Sequence, residues 1–532
     1  MLEQKQEQGQ ERQVGQVAPD PAERTDSRGS GAGGRGLARR AFMLVLAVLL
    51  IGLGVRCVWS VGTSWALYTY PFQFDESEGM IVAETMLLDR GVNIYNRPTP
   101  DLFIAAPYPP LFYLLNWPVQ HLAGDEPTFK GGRALSVLAT LLVGVAITGI
   151  ATALTGHRLA GAVGAGAWWG LYLVVFWGTL VKPDMLALAL GLGGLWWLVA
   201  RPQSAVWWTL PLFLAAFYTK QTAIAAGVAA TGWLLITRPR TGLAFGAALA
   251  LGAVVPTLAL DRLTAGGYFY HIYTIHDLPW FPQRFALYMT RLLSTYGALL
   301  IPGMLAIVVT AGVWLHARVR RWPDQHEHGR GSLLMLFYLL MAFAASSGAG
   351  THGGNHNHLL ELTAASCVGL GLGLAQLLAS RWWQLHAVGA LLGLFLLAQV
   401  PSLFAVPEWM KAEFSWLNPA KTEGMMNIFQ YVTNNGGTAY SDNVGLLLLT
   451  RKKLWTTDPF TQTHATLYGR WDESKLVGVI RSGYFDQIIV RVDVSNPADT
   501  AGDLSPAILQ AIRDNYRLDR ANVENIYIPK GK

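Results

Sequence analysis

Three carboxylates, Asp75, Glu76 and Glu78, stand within four positions of the stretch YPFQFDESEGM, residues 70–80. Two adjacent acids can bind a divalent metal or take the proton of a hydroxyl as a general base. Their neighbours are aromatic or apolar (Tyr70, Phe72 and Phe74 before them, Met80, Val82 and Met86 after), a setting that excludes part of the water. A carboxylate taken out of water holds a proton more readily unless a cation or hydrogen-bond donors keep it charged. A solvated loop is the plain alternative for such a cluster, and composition alone does not separate the two.

Four later stretches carry comparable chemistry. KPD places Lys182 and Asp184 where an apolar run begins, and TKQT places Lys220 between two short apolar runs. A helix cap or salt bridge accounts for the first, and a lysine reaching up to the membrane interface accounts for the second, as readily as a site does. YHIYTIHDLPWFPQR, residues 270–284, sets His276 and Arg284 in an aromatic belt, where the pair suits a phosphate whose lipid tail stays in the bilayer. THGGNHNHLLEL, residues 351–362, brings Asn355, His356, Asn357, His358 and Glu361 to the mouth of another run. The spacing of His356, His358 and Glu361 is not a standard zinc pattern, and the Asn/His mixture suits hydrogen bonding to a polyhydroxylated ligand better.

The elements that must position these residues are membrane spans. Of 532 residues 52% are hydrophobic and only 14% charged, and apolar runs of about 20 residues recur along the chain. We read eleven helices, near 41–62, 133–155, 159–178, 185–200, 204–219, 222–237, 242–260, 292–315, 331–349, 360–380 and 384–404. Residues 1–40, rich in Gln, Glu, Arg and Gly, are read as a disordered cytoplasmic segment before an uncleaved signal anchor. With RGLARR inside, the short basic loops at 157–158, 201–202, 238–240, 316–321 and 381 all fall on the cytoplasmic side. This count treats the proline-interrupted stretch 108–124 as an amphipathic helix along the outer surface, within a first outer loop 63–132. All the polar stretches then collect outside, together with the tail 405–532. There TEGMMNIFQYVTNN reads as helix and DQIIVRVDV and NIYIP as strands. The fold class is thus an α-helical polytopic membrane protein, the transmembrane domain 41–404, with a small extracytoplasmic α/β domain at its C-terminus.

The two cysteines, Cys57 and Cys367, lie in apolar runs and offer no disulfide framework. A net charge of +6, spread over short loops, gives no nucleic-acid footprint. No phosphate-binding loop, dinucleotide fingerprint or nucleophile elbow is present. A transporter or flippase, the main rival class, would carry ionisable residues at mid-membrane depth, and apart from Arg56 the runs hold almost none. A sugar-polymer polymerase or ligase is a second rival.

The order and sidedness of these motifs resemble the membrane-embedded glycosyltransferases of the GT-C fold. The likeness is to the protein O-mannosyltransferase and aminoarabinose-transferase groups and to the bacterial lipopolysaccharide-type sugar transferases. It rests on the acidic pair in the first loop, YPPL at 108–111, Arg133 of GGRALSVL, KPD and TKQT, and covers roughly residues 41 to 400. The resemblance implies a multi-pass protein of the inner (plasma) membrane that uses a polyprenyl-phosphate-sugar donor. A hexosyl- or pentosyl-type transfer would take place on the outer face, to a glycan, lipid or protein acceptor. It also implies catalysis by Asp75 with Glu76, a second acidic position at Asp184, and a donor phosphate held by His276 and Arg284. A divalent metal on Asp75, Glu76 and Asp184 is compatible with it. One departure is clear: the aminoarabinose group carries a lysine before its PPL, where this chain has Tyr108, so that phosphate contact is either absent or supplied from elsewhere, by Lys220 or Arg133.

Overall fold

The computed structural model describes residues 29–122, 124, 126–201, 206–319, 328–496 and 503–531. Most of the expected disordered segment, residues 1–28, lies outside them, as do Pro202 and Arg320–Arg321 of the basic loops. The first helix runs Gly29–Thr69, starting before the expected boundary at 41.

A backbone in hydrocarbon must satisfy its own polar groups, so apolar runs fold as helices. Seven helices among the described residues are long and apolar enough to cross a bilayer: Gly36–Thr69, Lys130–Thr155, Pro239–Leu263, Pro282–Ala317, Gly331–Gly350, His356–Ala379 and Trp383–Val400. Three of the remaining runs are shorter, Asp184–Ala200, Val206–Thr219 and Ala225–Thr237. At 1.5 Å per residue each is about 20–25 Å long, less than a full hydrocarbon core. The run expected at 159–178 is broken into Arg158–Trp169 and Tyr172–Trp177. The break has a visible cause: the Arg56 guanidinium donates to the carbonyl of Gly170 at 2.8 Å and lies 4.2 Å from the Tyr172 ring centroid.

Between the first and second long helices lie two helices that carry the site. Glu76–Asp89 is buried from Glu78 to Thr85 and packs on the backbone of Val444–Leu449. Pro110–Leu122, the expected surface helix, buries Phe112, Tyr113 and Asn116 and exposes Leu114, Leu115, Trp117 and Leu122.

The tail builds a four-stranded sheet from β1 (Ala439–Ser441), β2 (Gln487–Val490), β3 (Tyr516–Arg520) and β4 (Asn525–Pro529), in the order β1-β2-β4-β3. β1 and β2 are parallel, with Tyr440 opposite Ile488, and the other pairings are antiparallel. A parallel pair needs a crossover, here supplied by the helices Val444–Leu449, Pro459–Leu467 and Ser474–Arg481. Ile480, Phe485, Ile488, Val490, Ile508 and Ile512 form its core.

The tail is tied to the first loop by backbone pairing. Phe103 N–H donates to the carbonyl of Trp455 at 2.9 Å, and Thr457 N–H to the carbonyl of Phe103 at 2.8 Å.

Candidate functional site

Asp75 is the N-cap of Glu76–Asp89, in extended conformation at φ −128°. Its carboxylate accepts the Ser77 N–H at 3.0 Å and the Ser77 hydroxyl, as Asp does at a helix start. The same Oδ1 meets the Lys182 ammonium at 3.1 Å. Burial pushes the carboxyl up, but Lys182 and the Ser77 hydrogen bonds outweigh it and hold Asp75 below the usual carboxylate range. Its side chain is 22% exposed against 8% for Lys182, so the acid is the accessible partner.

Glu76 turns the other way, to the tail. It pairs with Arg491 Nη1 at 2.6 Å, and Arg491 also meets Asp442 at 3.5 Å and Asp503. Burial raises Glu76 to about 8 against the pull of Arg491, with Asp503, Asp75 and Asp458 adding to the rise.

Glu78 is fully buried and structural. It forms a bidentate pair with Arg133, both distances 2.9 Å, and accepts the N–H groups of Phe74 at 2.8 Å and Val181 at 3.0 Å. The remaining Arg133 donors go to the carbonyls of Leu67, Tyr70 and Phe72. Every donor of Arg133 is thus consumed in a site closed to solvent, which removes this residue as a phosphate ligand. The arginine instead folds the first loop against the helix Lys130–Thr155.

Asp184 opens its helix and faces Lys220 Nζ at 2.6 Å and Asn357 Nδ2 at 2.8 Å. KPD, TKQT and the Asn/His stretch therefore meet at one point. Lys182, two residues before Asp184, joins that point to Asp75. His358 packs against Gly348, where an added Cβ would lie 2.5 Å from its Nδ1. Glu361 follows one turn later, half-buried.

The second half of the expected phosphate grip forms a separate group. Arg284 donates to the carbonyl of Gly354 at 3.0 Å and to Tyr288 at 3.3 Å. Asn355 accepts the His356 N–H at 2.7 Å, and the His356 ring stacks on Trp409 at 4.3 Å between centroids. His276 lies apart from these contacts. Its Nδ1–H donates to the carbonyl of His271 at 2.8 Å, and burial pushes it down to about 4. A neutral histidine is a weaker phosphate partner than the sequence expectation requires.

Asp75, Glu76 and Asp184 do not share a cation. Each faces a different one, and among the described residues no group of three or more His, Cys, Asp or Glu side chains is placed to hold a metal. The sequence reading missed the contribution of the tail: Arg491, Asp442 and Asp503 on one side, and Asp458 on the other. Asp458 caps Pro459–Leu467, accepting the Thr461 hydroxyl at 2.6 Å, and burial raises its pKa. The DP pair at a helix start signals the cap but not its placement near Asp75.

No protein-family model and no curated protein sequence matches the chain. Solved structures do. ArnT from Cupriavidus metallidurans in the apo state superposes with a TM-score of 0.53 at 14% identity, over 91% of this chain and 97% of that one. The same protein bound to undecaprenyl phosphate gives 0.52 at the same identity and coverage. The mycobacterial arabinofuranosyltransferase AftD gives 0.48 at 16% identity, over 90% of this chain and 40% of that one. With the fold of ArnT over nearly its whole length, and seven helices able to cross a bilayer, the chain is a multi-pass membrane protein of the GT-C fold.

Proposed function

We propose that the protein is a glycosyltransferase that moves a sugar from a polyprenyl-phosphate donor to an acceptor hydroxyl at the outer face of the cell membrane. The observation that carries this reading is the Asp75–Lys182 pair, an ionised and accessible carboxylate beside a buried ammonium, in a chain that shares its fold with a protein solved bound to undecaprenyl phosphate.

In this reading Asp75 accepts the acceptor's hydroxyl proton as its oxygen attacks the anomeric carbon. The bond from that carbon to the phosphate oxygen breaks on the opposite face, its electron pair leaves with the polyprenyl phosphate, and the centre is inverted. An acid held below its usual range is ionised across neutral pH, the form that can receive a proton. The hydroxyl proton moves to it as the bond to the anomeric carbon forms and the oxygen grows more acidic. Charge developing on the leaving phosphate needs fixed positive groups, which act most strongly where water is excluded. Lys182 and Lys220 answer that description. Arg284 is a further phosphate partner, its Nε buried without a hydrogen bond. Sidedness follows from the basic short loops: with these inside, Asp75, Lys182, Lys220 and the tail stand outside.

Asp75→Asn tests the base. Asparagine keeps the helix cap and the shape, so the variant should insert, and thermal unfolding measured beside activity separates the loss of the Lys182 partner from the loss of the base. Transfer from a polyprenyl-phosphate sugar should fall by at least about 10²-fold, the usual contribution of a general base. Wild-type turnover by this variant would remove Asp75 from the chemistry.

A further inference from the structure

Arg56 stands within the first apolar run, and the transferase reading gives it no role. It is 1% exposed. A guanidinium keeps its proton at any pH a cell meets, so Arg56 is a permanent cation inside the helical bundle.

The group has five N–H donors. Its Nε–H donates to the carbonyl of Gly170 at 2.8 Å. The ring centroids of Tyr172 and Phe404 lie 4.2 and 5.8 Å from its central carbon, so aromatic faces cover the plane of the charge. The other N–H bonds point along its edge, on Nη1 and Nη2, and neither nitrogen has a hydrogen-bond partner among the described residues. Ser60 follows one helical turn later on the same face, fully buried, and its hydroxyl has no partner there either. The polar atoms beside them are already engaged. The Trp59 indole N–H donates to the Tyr172 hydroxyl at 3.3 Å, and that hydroxyl donates to the carbonyl of Phe404 at 2.9 Å.

The surrounding helices supply no counter-charge. Gly29–Thr69 holds no Asp or Glu, and neither do the helices packed on it, Lys130–Thr155, Arg158–Trp169, Tyr172–Trp177 and Trp383–Leu403. A charge taken out of water is tolerated when an opposite charge and hydrogen bonds replace the water it lost. Aromatic faces answer the plane of the guanidinium and leave its edge unanswered.

We propose that Arg56 and Ser60 hold a small monovalent anion, chloride or one of its size, between the first helix, the break at Gly170 and the end of Trp383–Leu403. The anion accepts hydrogen bonds from Nη1 and Nη2 of Arg56 and from the Ser60 hydroxyl. It ties the first span to the helix break and to the last span, whose end leads into the tail. A phospholipid headgroup carries the same charge but is too large to be enclosed where protein covers the guanidinium on all sides.

The test is thermal unfolding of the detergent-purified full chain in sodium gluconate, with chloride exchanged in at constant ionic strength. A ligand that binds only the folded state stabilises it by mass action, so the wild-type unfolding temperature should rise by about 1–2 °C for each tenfold step in chloride above the dissociation constant. Arg56→Met should unfold at one temperature whatever the chloride, and Ser60→Ala should need more chloride for the same rise. Where Arg56→Met does not fold, wild-type crystals grown in bromide decide, with an anomalous-scattering peak expected within hydrogen-bond reach of the Arg56 Nη atoms. Phosphatidylglycerol added in gluconate should give no rise. A wild-type unfolding temperature independent of chloride, an equal response in Arg56→Met, or bromide crystals without that peak would overturn the proposal. A rise with phosphatidylglycerol but not with chloride would also overturn it and assign the contact to a lipid headgroup.

Discussion

At the scale of single residues, three neighbouring carboxylates have three different fates because each meets a different cation. Asp75 stays accessible beside Lys182, Glu76 reaches Arg491 of the tail, and Glu78 is sealed against Arg133. The last pair gives a prediction about structure. Removing one partner of a buried ion pair leaves an unpaired charge and costs about 3–5 kcal/mol, whereas replacing both by apolar groups recovers much of that. Arg133→Met should therefore lower the thermal unfolding temperature sharply, and adding Glu78→Leu should restore part of the loss. If Arg133 instead held the donor phosphate, Arg133→Met would unfold as wild type does and lose only undecaprenyl phosphate binding.

At the scale of elements, the helix Glu76–Asp89 aims Asp75 because its other side lies directly on the tail. An added Cβ at Gly79 would stand 2.6 Å from the Gly445 amide nitrogen and closer still to the Gln73 side chain, which itself accepts that amide's hydrogen at 3.0 Å. Only glycine permits this approach. Overpacking a close contact costs about 1–3 kcal/mol, and here it also pushes the tail away. Gly79→Ala should raise the rate at which a protease cleaves the tail from the folded protein, with the membrane helices left intact on a gel. An unchanged cleavage rate would show that this contact does not hold the tail.

At the scale of the whole molecule, the tail and the first loop close on one buried acid. Glu84 accepts the Ala106 N–H at 2.8 Å, the Tyr113 hydroxyl at 2.7 Å and the Thr457 hydroxyl at 2.8 Å, joining two surface helices, the strand-like segment at 103–107 and the tail. Burial raises Glu84 to about 7 against those three donors. An acid whose folded pKa lies above its unfolded one, near 4.5, holds a proton that the unfolded chain has lost. The stability it contributes is present below about 4.5 and is lost as pH rises from there to about 7. Thermal unfolding of wild type should therefore decline across that window, and Glu84→Gln should flatten the decline. A slope identical in both proteins would assign the dependence to another group.

Much of this was legible in the chain itself. Apolar runs place helices because a membrane leaves the backbone no other partner, and the alternating runs at 486–494 and 525–529 contain β2 and β4. The acidic first loop, KPD, TKQT and the Asn/His stretch could each be picked out by residue type. Two local features escaped: the break at Gly170, where an arginine more than a hundred residues away binds the carbonyl, and β3, whose YRLDR is only five residues long and buries one of them. What only the tertiary structure decided was pairing. Which lysine meets which acid, that Arg133 is locked inside, and that Arg491 and Asp458 join the first loop all depend on contacts between distant segments. Such contacts form when helices and sheet pack, and short-range sequence patterns report only the face a residue occupies, never the partner it will find there.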